Sequence, residues 1–458
     1  MGKKFVNDNE EKLAKIIIMP LEDFLKGEDG MQIDKRRKIN DRQGRTSTRK
    51  RNAGVENPEY KWYGNDEKKY FNDLTQEEQE YIAELEGAIG GMNKNDVPIR
   101  FRILMSHIDT KIKAIAIKKL SYLYEMDPST GEYYKTSNWI DALCRIPIGR
   151  YRRLPISINS PVEDIRKFIT NTKDKLDEVV YGHKDAKDQI IRFLAQRITK
   201  DNAIGNNVIG LEGPPGVGKT LLAKEGISKA LDLPFQFISL SGTEDASHMV
   251  GHSFTYEGST WGKIADMVMK SDCMNPVFFM DELDKVSSSS KGEEISNLLI
   301  HLTDSTQNDK FQDKYFLDVN FDLSKCLFVF SYNDASLISP ILKDRMIKIR
   351  AKEYNMEDKV KIAQDYLLNS LCKEFNMQRS DIIISDDLIK YIAVNRIEEE
   401  KGVRNLKRAL ELILSNINLN MLLSEENMVF PIKITEAMVN EYVKPPTSSW
   451  QSKHYMYN

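Results

Sequence analysis

Between about residue 176 and residue 350 the chain alternates continuous apolar runs with helical stretches. The runs NVIGLE (207–212), FQFISL (235–240), PVFFMD (276–281), CLFVFS (326–331) and MIKIR (346–350) are bounded by turn residues and read as five strands. Their hydrophobicity is continuous rather than alternating, which marks strands covered on both faces, as in a parallel sheet. The predicted fold class is α/β, a five-stranded parallel sheet in a nucleotide-binding domain over 176–353. Beyond Glu353 no further strand is expected. EDKVKIAQDYLLNSL and VRNLKRALELILSNI show helical spacing, the second through Val403, Leu406, Leu410, Ile413 and Ile417. They predict a small helical lid domain over 354–445, followed by a tail, 446–458.

Upstream, LTQEEQEYIAELEGAI and IAIKKLSYLYEM predict charged amphipathic helices within a helical segment, 76–175, interrupted by GGMNKNDVP. TSNWIDALCRIPIGRY adds a short helix that stops at Pro147 and Gly149, with Trp139 as a core or docking anchor. Residues 1–75 have few large apolar side chains and carry the basic cluster KRRKINDRQGRTSTRKR at 35–51. Such a composition buries too little surface to offset backbone entropy, and a disordered basic arm is expected.

Composition narrows the function classes. With 66 basic against 69 acidic residues the formal charge is -3, which predicts no general attraction to nucleic acid or membrane. Any such attraction is local to the arm at 35–51, whose two basic runs suit a polyanion contact or a bipartite nuclear-import signal. The cysteines Cys144, Cys273, Cys326 and Cys372 are scattered singly, with no CxxC pair, so neither a zinc site nor a disulfide framework is expected and a reducing compartment is. KIIIMPL is too short for a signal-peptide core or for a span of ~20 residues. The expected location is cytoplasmic, with nuclear entry through the arm as an alternative and neither secretion nor membrane association.

Chemistry enters with GPPGVGKT (213–220), which satisfies GxxxxGK(S/T) directly after one predicted strand and before a predicted helix. Gly213, Gly216 and Gly218 let the backbone of 214–219, through Pro214, Pro215 and Val217, wrap a phosphate at a helix N-terminus. Lys219 brings a positive charge to the β- and γ-phosphates, and Thr220 offers a hydroxyl to Mg²⁺. PVFFMDELD ends a strand on Asp281 and Glu282. In a phosphate-loop fold that pair faces the metal, so Asp281 is expected in the Mg²⁺ shell and Glu282 as the group that polarises the attacking water. CLFVFSYND delivers Asn333 at the end of another strand, ISPILKDRM offers Arg345 as a candidate finger, and EEEKGVRNLKRAL offers Arg404 at the start of a lid helix.

The succession LDEVVYGHKDAKDQIIRFLAQR, the phosphate loop, GHSFTYEG, NPVFFMDELDK, QNDKFQDKYFLDVNFDLSKCLFVFSYND, ILKDRM and KGVRNLKR resembles the AAA+ ATPase module of Lon-type ATP-dependent proteases over roughly residues 75–445. The resemblance implies that Tyr181 and Gly182 flank the adenine of ATP. It implies that Asn333 is the first sensor, that Arg404 is the second, and that Arg345 acts on ATP bound by a neighbouring subunit of a homohexameric ring. Tyr256, with Glu257 beside it, falls on the loop with which such rings grip an extended polypeptide.

The chain departs from that pattern at Glu257, where the family has an aliphatic residue. It carries the short basic arm where the family has a β-rich N-terminal domain, and it ends at Asn458, where a Ser-Lys protease domain is expected to begin. SSSK at 288–291 fits SxxK but lies in the loop after the acidic pair and reads as a polar loop. The leading expectation is a Lon-like ATPase that unfolds, translocates or remodels proteins, with no peptidase activity from this chain alone. The alternatives are the ATPase half of a split protease whose peptidase lies on another chain, and an ATP-switched scaffold that binds nucleic acid through the arm.

Overall fold

The apolar runs form the sheet that their burial demands. In the computed structural model, which describes residues 65–93, 97–199, 207–242, 245–286, 289–317, 319–423 and 430–445, strands β1 (Val208–Glu212), β2 (Phe235–Ser239) and β3 (Val277–Asp281) precede a short antiparallel pair, β4 (Phe311–Gln312) and β5 (Asn320–Phe321). After it come β6 (Leu327–Tyr332) and β7 (Ile347–Arg350), and the five longer strands pair in parallel in the order β2-β3-β6-β1-β7. The basic arm at 35–51, Ser288 and the tail 446–458 lie outside the described residues.

Alternate side chains of each central strand enter different cores. Val277, Phe279, Leu327, Val329, Ile209 and Leu211 pack with Leu176, Ile190, Leu194 and Ile227 from the helices on one face. Phe278, Met280, Phe328, Phe330 and Val208 pack on the other face with Ile264, Val268, Ile295 and Leu299. Both faces are dry, so every position along the strand must be apolar, which is why the runs are continuous.

The second core also contains Trp139, Ile140 and Leu143 of the helix Gly131–Arg145, and Leu120 and Leu123 of the helix Thr110–Glu125. The helical segment before the sheet is thus built into the same core as the sheet. Trp139 is 2% exposed, and its indole N–H donates to the Tyr315 carbonyl at 3.1 Å.

The chain divides into two compact units, 1–94 and 95–458. In the first, the helices Asn65–Asp73 and Gln76–Asn93 are separated by Thr75, whose hydroxyl and backbone N–H both pair with the Glu78 side chain, a reciprocal cap at the start of the longer helix.

Residues after Glu353 form a separate core in which Leu406, Leu410, Ile413 and Ile417 of the helix Arg404–Leu423 are buried against Leu371, Ile389 and Ile392. Here the sequence expectation needs correction. Two further strands occur, β8 (Ile382–Ile383) and β9 (Ile432–Lys433), paired in parallel. Each contributes only two residues, too few to set up a run or an alternation that a sequence pattern can register.

One buried acid ties the sheet's insertions together. Asp313 is fully buried, and its carboxylate accepts hydrogen bonds from the backbone N–H of Gly262 at 2.8 Å and of Tyr315 at 2.9 Å. Burial pushes its pKa up to about 6 against the pull of those N–H groups. This is above the ordinary unfolded value of about 3.9, so between roughly pH 4 and pH 6 the folded state holds more of its proton than the unfolded state does, and the group's contribution to stability falls as pH rises through that window. Asp313→Ala leaves two buried N–H groups unpaired and is expected to cost at least about 2 kcal/mol in urea denaturation at neutral pH. The cost is expected to be larger at pH 5 than at pH 7; an undiminished midpoint in the variant would show that the acid ties nothing.

Candidate functional site

The carboxyl ends of β1, β3 and β6 lie side by side in the sheet, and their exits carry the candidate chemistry. The loop 213–218 leaves β1 and turns into the helical stretch 219–231, with Gly218 as its left-handed N-cap. Gly216 and Gly218 both have positive φ, +78° and +89°, conformations from which anion-binding backbone nests are made. At Gly216 a Cβ would also stand 3.0 Å from both the backbone nitrogen and the Cβ of Arg404, tight enough to press on the lid.

Lys219 is buried, and its ammonium donates to Asn333 Oδ1 at 2.7 Å, to the Pro214 carbonyl at 3.3 Å and to the Gly213 carbonyl. Burial pulls its pKa below the usual lysine range, while the carboxylates of Asp281, Asp284 and Glu282 pull it back up. Asp281 ends β3 and its Oδ1 accepts the Glu282 backbone N–H at 3.0 Å. Glu282 itself has φ +60°, a left-handed conformation that an acidic residue rarely adopts and that tends to cluster at working sites.

Gly216, Gly218, Lys219, Asp281, Glu282 and Asn333 line one cavity of about 550 Å³, together with Pro215, Val217, Thr220 and Tyr181, whereas Gly182, Gly213 and Pro214 lie outside its lining. The lid supplies the opposite wall through Val403 and Arg404. The seam is made of main chain, since Val403 N–H donates to the Gly216 carbonyl at 3.2 Å. At Gly402 a Cβ would come within 2.3 Å of the Pro215 carbonyl oxygen.

Tyr181 is half-buried beside Gly182, whose φ is +68°. The Tyr354 hydroxyl donates to the carbonyls of Tyr181 at 3.1 Å and Val217 at 3.2 Å, and a His183 ring nitrogen lies 3.0 Å from the same Val217 oxygen. Tyr354 and Tyr366, which line the cavity, and His183 were not singled out from the sequence. Tyr354 and Tyr366 stand more than 130 residues from the phosphate loop, and no motif spacing links them to it.

The residues fit a nucleoside triphosphate with a hard divalent cation on three observations. The glycine cradle admits no side chain, the buried ammonium faces the same cavity, and Thr220 and Asp281 present oxygen donors of the kind Mg²⁺ prefers. Close by, Asp284 Oδ1 is buried without a hydrogen-bond partner.

Arg345 is not among the residues that line this cavity. Its guanidinium binds the Ile300 carbonyl, Thr303 Oγ1 at 3.5 Å and Asp304 Oδ2 at 2.9 Å.

On the loop 251–262, Phe254 and Tyr256 differ in role, while Trp261 packs on Tyr315 and Phe316. Phe254 is half-buried, edge-on to Trp139 and Tyr315, with the ammonium groups of Lys119 and Lys135 4.4 and 4.6 Å from its ring centroid. Tyr256 is 68% exposed and Glu257 beside it is exposed. Phe254, also not singled out from the sequence, is the loop's anchor. Ser289 caps the helix Ser290–Thr303 by accepting the Gly292 N–H at 3.4 Å, so the SxxK lookalike is a helix start. Among the described residues no helix is long and apolar enough to cross a membrane, and no cluster of metal-ligating side chains is present.

Comparison with known proteins agrees with this geometry. Residues 209–354 match the family described as "ATPase family associated with various cellular activities (AAA)". The chain is 37% identical over 344 residues to a Lon protease homolog of Acanthamoeba polyphaga mimivirus, covering 73% of this chain and 32% of that protein. It is 38% identical over 307 residues to the mitochondrial Lon protease homolog of Yarrowia lipolytica, covering 67% and 25%. It is 33% identical over 357 residues to the Lon protease of Cytophaga hutchinsonii, covering 76% and 42%. The chain therefore spans well under half the length of these relatives. Residues 209–354 thus form a AAA ATPase domain, carried within a AAA+ module of the Lon type.

Proposed function

We propose that this chain hydrolyses ATP with Mg²⁺ and uses the energy to unfold or remodel protein substrates drawn through the pore of a ring of identical subunits. The observation that carries the hydrolytic part is the convergence of Lys219, Thr220, Asp281, Glu282, Asn333 and Arg404 on one cavity at the carboxyl ends of adjacent strands. In this reading the phosphate-loop backbone and Lys219 hold the phosphates, and the Lys219 ammonium exchanges the carbonyls of Gly213 and Pro214 for phosphate oxygens. Thr220 and Asp281 hold Mg²⁺, which neutralises phosphate charge when bound. Glu282 accepts a hydrogen bond from the attacking water, and Asn333, already fixed by Lys219, orients that water or the γ-phosphate. Tyr181 and Gly182 border the adenine. Arg404 reports the phosphates to the lid, because its backbone is pressed against Gly216.

Arg345 lies away from its own subunit's cavity and is assigned to the phosphates of a neighbour, which makes an oligomer the active form. The assignment of Tyr256 to a polypeptide-gripping loop rests on the contrast between an anchored Phe254 and an exposed ring two residues later. A large rigid apolar face at a loop tip contacts polypeptide without requiring a given sequence. The word protease in the names of the relatives favours a second reading of the same motor, in which it feeds a peptidase carried elsewhere.

Glu282→Gln is expected to bind ATP as tightly as the parent, by equilibrium nucleotide titration, while turnover falls by about 10²-fold or more. Equal turnover in the two purified assemblies would remove Glu282 from the chemistry. Tyr256→Ala is expected to keep basal ATP turnover and thermal midpoint but to lose stimulation by unfolded protein and the unfolding of a tagged reporter. Glu257→Val is expected to widen the range of accepted segments by removing a like charge from each subunit of the pore. Reporter unfolding at the parent rate in Tyr256→Ala would end the pore-loop assignment.

A further inference from the structure

The groups that hold Arg345 are as specific as the arginine itself. One terminal nitrogen donates to the Ile300 carbonyl and to Thr303 Oγ1, while Thr303 donates its own proton to the carbonyls of Leu299 and Ile300 at 2.8 and 3.1 Å. Ile300 and Thr303 belong to the last turn of the helix Ser290–Thr303, where free carbonyls and the helix dipole favour a cation. The other terminal nitrogen pairs with Asp304 Oδ2 at 2.9 Å. Asp304 is the C-cap of that helix and is held by its own loop: its Oδ1 accepts the Thr306 N–H at 2.9 Å and the Thr306 hydroxyl at 2.7 Å. Those Thr306 bonds, with Arg345 adding to them, keep its carboxyl below the ordinary aspartate range. The side chains of the pair are 27% and 19% exposed, so both are partly buried and neither is sealed from solvent.

An arginine that swings freely must lose its rotamer freedom each time it reaches across an interface, whereas one gripped by a fixed carboxylate and a helix end arrives already oriented. The helix that supplies the grip starts just beyond the Glu282 loop and runs 14 residues, about 21 Å.

We infer that Asp304 is a positioning residue for ATP hydrolysis, presetting the Arg345 guanidinium for the phosphates bound by the next subunit. The inference rests on the assignment of Arg345 to a neighbour's site made above. Asp304 touches no substrate itself; its charge and fixed position act through Arg345.

The test uses the assembled full chain and steady-state ATP turnover. Asp304→Asn keeps size and an acceptor for Thr306 but removes the charge. It is expected to lower kcat by about ten- to a hundredfold, short of the roughly thousandfold or greater loss expected for Arg345→Ala. KM for ATP, assembly and thermal midpoint are expected to stay as in the parent. Mixing Asp304→Asn subunits with Glu282→Gln subunits is expected to restore turnover, because an intact phosphate site then meets an intact, correctly held finger. Thr306→Val, which leaves the charge and the backbone N–H bond but removes the hydroxyl that steadies the carboxylate, is expected to show a smaller loss of kcat with the same recovery, and serves alone if Asp304→Asn does not assemble.

Parent-like turnover in both variants would overturn the inference. So would a rise in turnover, which would make the pair a latch, or a loss that mixing fails to restore although Arg345→Ala is restored, which would make Asp304 structural. Full turnover in Arg345→Ala would instead bring down the trans assignment on which the inference stands.

Discussion

The ammonium of Lys219 is a buried positive charge, and the arrangement of the site follows from keeping it there. A buried cation must be hydrogen-bonded and balanced, or burial expels its proton. Its bonds come from Asn333 at the end of β6 and from the carbonyls that leave β1, while the balance comes from Asp281, Glu282 and Asp284 at and beyond the end of β3. The order β3-β6-β1 is the one that brings these three strand ends together. The same groups that make the charge tolerable are those to which phosphate handling is assigned.

What was legible in the sequence follows from the range over which each constraint acts. The five central strands were readable because burial on both faces forces apolarity at every position, a local signature. The phosphate loop, the acidic pair and Asn333 were readable because each follows a strand within a few residues. Tyr354, Tyr366 and His183 were not, because lid docking brings the two tyrosines to the cavity and the Val217 carbonyl alone joins Tyr354 to His183. Asp304 and Asp313 look like ordinary loop acids in the sequence. Only the fold shows that one is bound to Arg345 and the other is sealed beneath two backbone N–H groups. The two-residue strands β8 and β9 stabilise the lid by pairing segments some fifty residues apart, below the length at which periodicity exists.

The helical segment before the sheet has a mechanical meaning that its sequence did not reveal. Trp139 and the cations of Lys119 and Lys135 surround Phe254, so the helices Thr110–Glu125 and Gly131–Arg145 grip the root of the loop that ends in Tyr256. Cation–aromatic contacts of this kind are strongest when partly desolvated, as burial's downward pull on the Lys119 pKa indicates. If Tyr256 works as proposed, a load on the loop tip passes into the core shared by these helices and the sheet.

The seam between lid and phosphate loop has a consequence for how this protein tolerates mutation. Val403 N–H meets the Gly216 carbonyl, a Cβ at Gly402 would collide with the main chain of Pro215 and Gly216, and one at Gly216 would stand 3.0 Å from the Arg404 backbone nitrogen. Main-chain atoms share this joint with the Tyr354 hydroxyl, so beside the loss of a bond it has a second, steric way to fail: a residue bulkier than glycine at 402 would press the two segments apart by gaining an atom.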